Sequence, residues 1–305
     1  MNSSGAGAAS APHHVDFGGP ERPVIVLVHG LGGSHLNWEL LAPRLTAQAH
    51  VLALDLPGFG LSPPAARQST VRRNVEALAR FVGEHGNPPV VLVGNSMGGL
   101  ISILLTARMP HLVQGLALVD PALPAPWRAL RSPVAAATLA AYAVPGVGEQ
   151  LRRNLRQRIG PRATLVATLR RCGVDPASLP DDLMRRSVTL VERQSDVAGM
   201  DRAFLSASRS LAWALARRDT YAAAMRAINV PVLLVHGDQD RLVPVEAARA
   251  VARTHPRWRY VELQDVGHVP QLQVPELLAG HLRVWLRDLE PAQATSRDSI
   301  DNRDR

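Results

Sequence analysis

Three parts of this chain hold residues whose types and order could do acyl chemistry. Gly94-Asn95-Ser96-Met97-Gly98-Gly99 directly follows the apolar run Pro89-Val90-Val91-Leu92-Val93. The pattern reads as a buried strand, then G-x-S-x-G, then a helix start, which sets Ser96 at an exposed, strained tip. Gly94 and Gly98 lack the Cβ atoms that would collide in so sharp a turn. The backbone N–H after the serine then points where an oxyanion can develop. A nucleophilic serine needs a base, and an acid to orient that base. Downstream, the apolar residues 230–235 lead into His236-Gly237-Asp238-Gln239-Asp240-Arg241. Residues 259–263 lead into Gln264-Asp265-Val266-Gly267-His268-Val269-Pro270. Serine, aspartate and histidine, each just past a strand's carboxyl end, follow in the chain order of a nucleophile-elbow triad.

The elements that position these groups alternate. Val24-Ile25-Val26-Leu27-Val28 and Val51-Leu52-Ala53-Leu54 are buried strand runs, as are residues 90–93 and 113–119. A glycine-rich loop, Gly30 to Ser34, precedes a predicted helix through Trp38 to Leu45, and Val71 to Val82 has helical spacing. Such alternation predicts a mostly parallel sheet with helices on both sides. It stops at Pro121, and only helical patterns and breakers follow until about Ile228. Strand sequence resumes at Val230, a helix is predicted at 245–254, and the last helix at about 274–287. The predicted organisation is a flexible leader (1–20, with an edge strand near His14), a core (21–120 and 229–288), a helical insertion (121–228) and a disordered tail (289–305).

The 305 residues are 46% apolar, enough for one large domain with an insertion, and too apolar for wholesale disorder. The net charge of +8 invites a nucleic-acid reading, yet all 34 basic residues are arginine. That uniformity points to GC-rich codon usage. Between Pro121 and Asn229 there are 17 Arg against 8 acidic residues, so the excess sits in the insertion. No aromatic residues interleave with these arginines as a single-strand platform requires, so no nucleic-acid partner is expected. Solvated helix faces are the leading reading, and weak contact with an anionic membrane surface the second. The single cysteine, Cys172, excludes an internal disulfide and reads as a small core hydrophobe. The stretch Met1 to Pro12 has no signal-peptide pattern, and no apolar run is long enough to span a membrane. A cytoplasmic protein is expected. No metal or cofactor is expected either: His13 and His14 lie in the leader without partners at metal-ligand spacing.

From about residue 24 to 287 the chain resembles α/β-hydrolase fold enzymes with an inserted cap. The resemblance rests on His29-Gly30-Leu31-Gly32-Gly33, Asp55-Leu56-Pro57-Gly58-Phe59-Gly60, the Ser96 motif, Gly237-Asp238-Gln239-Asp240 and Gly267-His268. Five motifs in this order are jointly specific. The family usually begins with a β-hairpin, and here there is room for little more than one strand. The resemblance implies Ser96 as nucleophile, His268 as base and Asp240 as acid, with Met97 and Leu31 N–H groups as oxyanion donors. Asp238 and Asp265 suit loop and turn roles. Asp120, also at a strand end, is the alternative acid, since some relatives place theirs there. His236 reads as structural, and Trp38 and Trp213 as packing residues.

Gly30-Leu31-Gly32 with Asp55 also imitates a dinucleotide fingerprint, but His35 occupies the third glycine position. A non-catalytic receptor of this fold is disfavoured by the complete set of three residues. Dehalogenases and epoxide hydrolases of the fold use aspartate where Ser96 stands. The resemblance therefore implies a serine hydrolase of a small-molecule carboxylic ester. A carbon–carbon bond hydrolase of ring-cleavage diketones comes second, because its elbow resembles Gly-Asn-Ser-Met-Gly-Gly. Thioesterase or perhydrolase chemistry would need the same residues. The apolar stretch Pro133 to Val144 in the cap is either packing or a pocket wall that selects lipophilic groups.

Overall fold

A computed structural model describes residues 11–64, 69–124 and 147–289. The apolar runs become seven strands: β1 (His14–Asp16), β2 (Val24–Val28), β3 (His50–Leu54), β4 (Val90–Asn95), β5 (Val113–Val119), β6 (Val232–Gly237) and β7 (Arg259–Leu263). They form one sheet in the order β1-β3-β2-β4-β5-β6-β7. β1 runs antiparallel to β3, and every other pairing is parallel. The core helices are α1 (Val71–His85), α2 (Met97–Arg108), α7 (Val245–Thr254), α8 (Pro270–Gln273) and α9 (Pro275–Leu289). Between β5 and β6 come α3 (Val147–Arg171), α4 (Asp181–Asp196), α5 (Met200–Ala216) and α6 (Arg218–Arg226), with no strand among the described residues. The chain leaves β2 toward β3 on one side and later builds β4 on the other. The segments that follow β2 and β4 therefore pack on opposite faces of the sheet, the arrangement in which sheets of this kind place a site above the strands' carboxyl ends.

Strand alternation sorts the side chains into two cores. Val26, Val28, Leu92, Leu116 and Leu234 pack with α1 and α2 on one face. Ile25, Leu27, Val93, Val119 and Val235 pack with Trp38 and α9 residues such as Leu282 and Trp285 on the other. Because both faces are covered, the strands read as continuous apolar runs rather than alternating ones.

Two expectations are corrected. The helix predicted through Trp38 to Leu45 is a pair of 3₁₀ turns, His35–Trp38 and Ala42–Arg44. A Ser34–Asn37 capping box closes the first, and Pro43, which has no N–H to donate, sits in the second. Residues 11–20 are anchored, not a flexible leader, and His13 has partners. Its Nδ1 lies 2.9 Å from Asp55 Oδ2, and His14 packs edge-on against Phe81 and His85. Leu289 is still helical. The first ten residues, Pro133 to Val144 and the tail from Glu290 lie outside the described residues.

Asp55 is the hub of that anchorage. It is fully buried; Oδ1 accepts from His35 N at 2.6 Å, and Oδ2 meets His13 Nδ1, His35 Nδ1 and Leu61 N at 2.8 to 2.9 Å. Burial pushes its pKa up, but the bond to His35 and the neighbouring imidazoles outweigh it, and the net shift is downward. A depressed carboxylate contributes stability above its unfolded pKa and loses it as pH falls through the folded value. Asp55→Asn should therefore destabilise at pH 7, by about 1–3 kcal/mol. The deficit against wild type should shrink on acidification; thermal melts from pH 7 down to 3 check this, and a constant deficit would contradict it.

The insertion is bound to the core at several points. Arg186 makes a two-toothed pair with Glu39 at 2.8 and 3.0 Å, and Gln194 Nε2 donates to Gly60 O at 3.1 Å. Val71 N donates to Ser210 Oγ at 3.0 Å, and within the segment itself Tyr221 Oη–H donates to Ala122 O at 3.0 Å, close to the end of β5. Among the described residues no helix is long and apolar enough to cross a membrane.

Candidate active site

Ser96 sits between β4 and α2 with φ 53° and ψ −119°, a conformation that non-glycine residues rarely adopt. Its N–H is shared between Val119 O and Asp120 O, both at 3.2 Å, and its carbonyl accepts from Ala122 N at 2.9 Å. The side chain caps nothing. The turn is tight enough that a Cβ on Gly98 would lie 2.1 Å from Val28 O. Met97 opens α2, so its N–H has no acceptor within the helix. Leu31 lies in the loop after β2, and in the same loop a Cβ on Gly30 would stand 3.0 Å from Ser96 Cβ. The two loops carrying the expected N–H donors thus meet at Ser96.

The other two residues of the expected set are brought together. Buried His268 and buried Asp240 share a bond of 2.7 Å between Nδ1 and Oδ2. Asp240 Oδ1 accepts from Leu242 N and Val243 N at 2.7 and 2.9 Å. Burial raises this carboxyl, yet the bond to His268 and the Val243 amide more than offset it, so its pKa is lowered. A carboxylate fixed on Nδ1 leaves Nε2 as the nitrogen free to take a proton. Asn95, next to Ser96, donates from Nδ2 to His268 O at 3.1 Å and to Val119 O at 3.0 Å. It links the serine turn to the histidine loop. Sequence reasoning assigned it no role; its place as the variable residue in a G-x-S-x-G turn at a strand end was the available signal.

The model of the alpha/beta hydrolase fold family matches residues 23–275. The chain belongs to this family. As an α/β-hydrolase it has esterase- and lipase-like relatives. The pimeloyl-[acyl-carrier protein] methyl ester esterase of Aromatoleum aromaticum is 33% identical over 84% of this chain and 94% of its own length. The dihydrolipoyllysine-residue acetyltransferase component of the acetoin cleaving system of Pseudomonas putida is 26% identical over 89% of this chain, which spans 65% of that protein. The crystal structure of a membrane phospholipase A, a bacterial virulence factor, matches with TM-score 0.65 and 31% identity over 90% of this chain and 82% of that one.

Asp120, the alternative acid, lies behind this α/β-hydrolase's Asp240–His268 pair rather than on the histidine. It is fully buried at the end of β5, and its Oδ1 accepts from Gly237 N at 2.9 Å. Oδ2 is buried without a hydrogen-bond partner. Burial and the adjacent Asp240 charge hold its carboxyl well above the ordinary range, which favours the protonated acid. His236 stands between the two aspartates, 3.7 Å from Asp120 and 3.5 Å from Asp240, with Nε2 2.9 Å from Val243 O. Burial lowers its pKa and keeps it neutral, in keeping with a structural role. Asp265, at φ 58°, is a turn residue.

Among the described residues two groups of side chains have the make-up of a cation site: His13, His35 and Asp55, and Asp120, His236 and Asp240. In the first, Asp55 Oδ2 already bonds to both histidine Nδ1 atoms; in the second, His236 Nε2 faces a carbonyl. Cys172 is near the site, but burial and the Asp240 charge push its thiol to about 11, so it stays protonated. Trp38 is fully buried as expected, whereas Trp213 is a correction. It is 61% exposed, with Arg217 4.5 Å from its ring centre. A groove of about 470 Å³ lined by Arg162, Arg170, Asp175 and Arg185 lies on the insertion, and none of Ser96, Asp240 and His268 lines it.

Proposed function

We propose that this α/β-hydrolase cleaves a carboxylic ester of a lipophilic small molecule through an acyl-enzyme on Ser96. The observation that carries the reading is the 2.7 Å His268–Asp240 bond, on a loop tied by Asn95 to the turn that exposes Ser96. In this mechanism His268 Nε2 takes the proton from Ser96 Oγ, and the oxygen attacks the ester carbonyl. The tetrahedral oxyanion is held by the Met97 and Leu31 N–H groups, each worth about 10²–10³ in rate. His268 then protonates the leaving alcohol, and water, activated by the same imidazole, releases the acid. Asp240 holds the tautomer and stabilises the imidazolium.

The helical segment between β5 and β6 serves in this reading as the cap that selects the substrate. Phe204 of α5 stands over the loop after β2, where a Cβ on Gly32 would lie 3.1 Å from its ring. Leu31 and Phe204 both pack against the core beneath. An apolar roof over the proposed oxyanion loop favours uncharged acyl chains of medium length. A p-nitrophenyl ester series of rising chain length tests this. The optimum should fall at medium length in wild type and move to longer chains in Phe204→Ala. A series with no length preference would refute the roof, and activity confined to vinylogous diketones would move the reaction to carbon–carbon cleavage.

A further inference from the structure

The insertion reaches His268 itself. α3 ends in a paired hydrogen-bond cap: Val174 N donates to Leu169 O at 2.9 Å and Gly173 N to Arg170 O at 3.1 Å. Gly173 takes φ 83°, the left-handed conformation such a cap requires. A helix end leaves carbonyls without intrahelical donors. One of them, Cys172 O, accepts the N–H of His268 at 2.8 Å. His268 is therefore fixed from three separate segments: its N–H by the end of α3, its carbonyl by Asn95, and its ring by Asp240.

The packing around that bond is equally close. A Cβ on Gly267 would lie 2.4 Å from Cys172 O, and one on Gly173 would lie 3.0 Å from Gly267 Cα. A third apolar core surrounds the contact. It joins Leu169, Val174, Leu183 and Met184 of the insertion to Val269, which directly follows His268, and to Leu272 in the short helix after it. Gln273 Oε1 accepts from Gly267 N at 2.8 Å and closes the loop from the other side.

We propose that the Cys172–Gly173 turn of the insertion is a positioning element for His268, so that the cap governs turnover as well as access. The proposal rests on the triad reading given above. The cap turn never touches the reacting atoms; it acts by holding the backbone that carries the imidazole. A displacement of about 1 Å in such a group is enough to slow a reaction about 10²-fold.

The test uses the full chain, p-nitrophenyl butyrate, and three variants. Gly267→Ala forces the Cys172 carbonyl off His268, and Gly173→Ala strains the turn from the other side. Arg186→Met removes the Glu39 tether, which leaves the cap turn and His268 untouched. The expected result is a fall in kcat of about 10²-fold for Gly267→Ala and about tenfold for Gly173→Ala, with KM nearly unchanged. In both, the low-field proton resonance of the His268–Asp240 bond should shift or broaden. Arg186→Met should lower the melting temperature and leave kcat and that resonance as in wild type. Glycine variants that fold and turn over like wild type overturn the proposal. So does an equal loss of kcat in Arg186→Met. If Gly267→Ala fails to fold, Gly173→Ala decides by the same two readouts. Wild type that neither hydrolyses ester nor takes a fluorophosphonate on Ser96 overturns the triad reading instead, a result distinguishable from the first two.

Discussion

Ser96→Ala is expected to lower kcat on p-nitrophenyl butyrate by about 10⁵–10⁶-fold, with melting temperature nearly unchanged. The serine side chain caps no helix and so leaves no structural contact behind. Alanine also has the same Cβ at the unusual φ, so the strain of the turn is retained. Removing the oxygen alone then removes the nucleophile. His268→Ala should cost about as much, and the double variant hardly more, because the two act as one unit. Fluorophosphonate should label wild type and neither variant. A loss smaller than about tenfold in Ser96→Ala would end the acyl-enzyme reading.

Asp240→Asn should lower kcat about 10⁴-fold, whereas Asp120→Asn should leave it within about threefold. The two residues share a buried site but stand in different electrostatic states. Asp240 is held ionised by His268 and two amide donors; an asparagine there could present its amide to Nδ1 and fix the wrong tautomer. Burial and the Asp240 charge push the Asp120 carboxyl upward and so favour its neutral acid, which asparagine imitates in shape and charge, keeping an oxygen for Gly237 N–H. The two also differ in stability. An acid whose folded pKa is raised keeps its proton in the native state while the unfolded chain releases it. Wild-type stability then declines as pH rises from the ordinary carboxylate range toward Asp120's folded value. Asp120→Asn should remove that decline, so its melting temperature should exceed wild type at neutral pH and approach it in acid. The reverse ranking of the two variants in kcat would make Asp120 the acid.

Much of the frame was legible because each strand is covered on both faces. Residues 24–28, 90–93 and 113–119 had no alternative to a buried strand once turn residues bounded them. The proposed site residues Ser96, Asp240 and His268 stood out in the sequence for a different reason. Glycine-flanked polar residues at strand ends mark where backbone turns sharply and side chains emerge. What stayed hidden depends on partners distant in sequence. Asp55 is 42 residues from His13, and nothing local in either segment announces the pairing. Periodicity also misread residues 35–45, since the apolar spacing of Leu36, Trp38 and Leu41 fits a 3₁₀ turn pair as well as an α-helix. The Cys172–His268 contact is harder still. It is made by a carbonyl and an amide that every residue but proline carries, so its only trace in the sequence is a pair of glycines, 173 and 267.

An insertion that met its core only at the two chain ends could be exchanged freely for another of different specificity. This one ends a helix on a carbonyl that the histidine loop needs. Replacement of the whole segment by an unrelated helical unit would therefore deliver a new pocket to a mispointed base. If the turn positions His268 as proposed, a change of specificity is best sought in the helices beyond it, α4 and α5 above all, with the Cys172–Gly173 turn kept as it is.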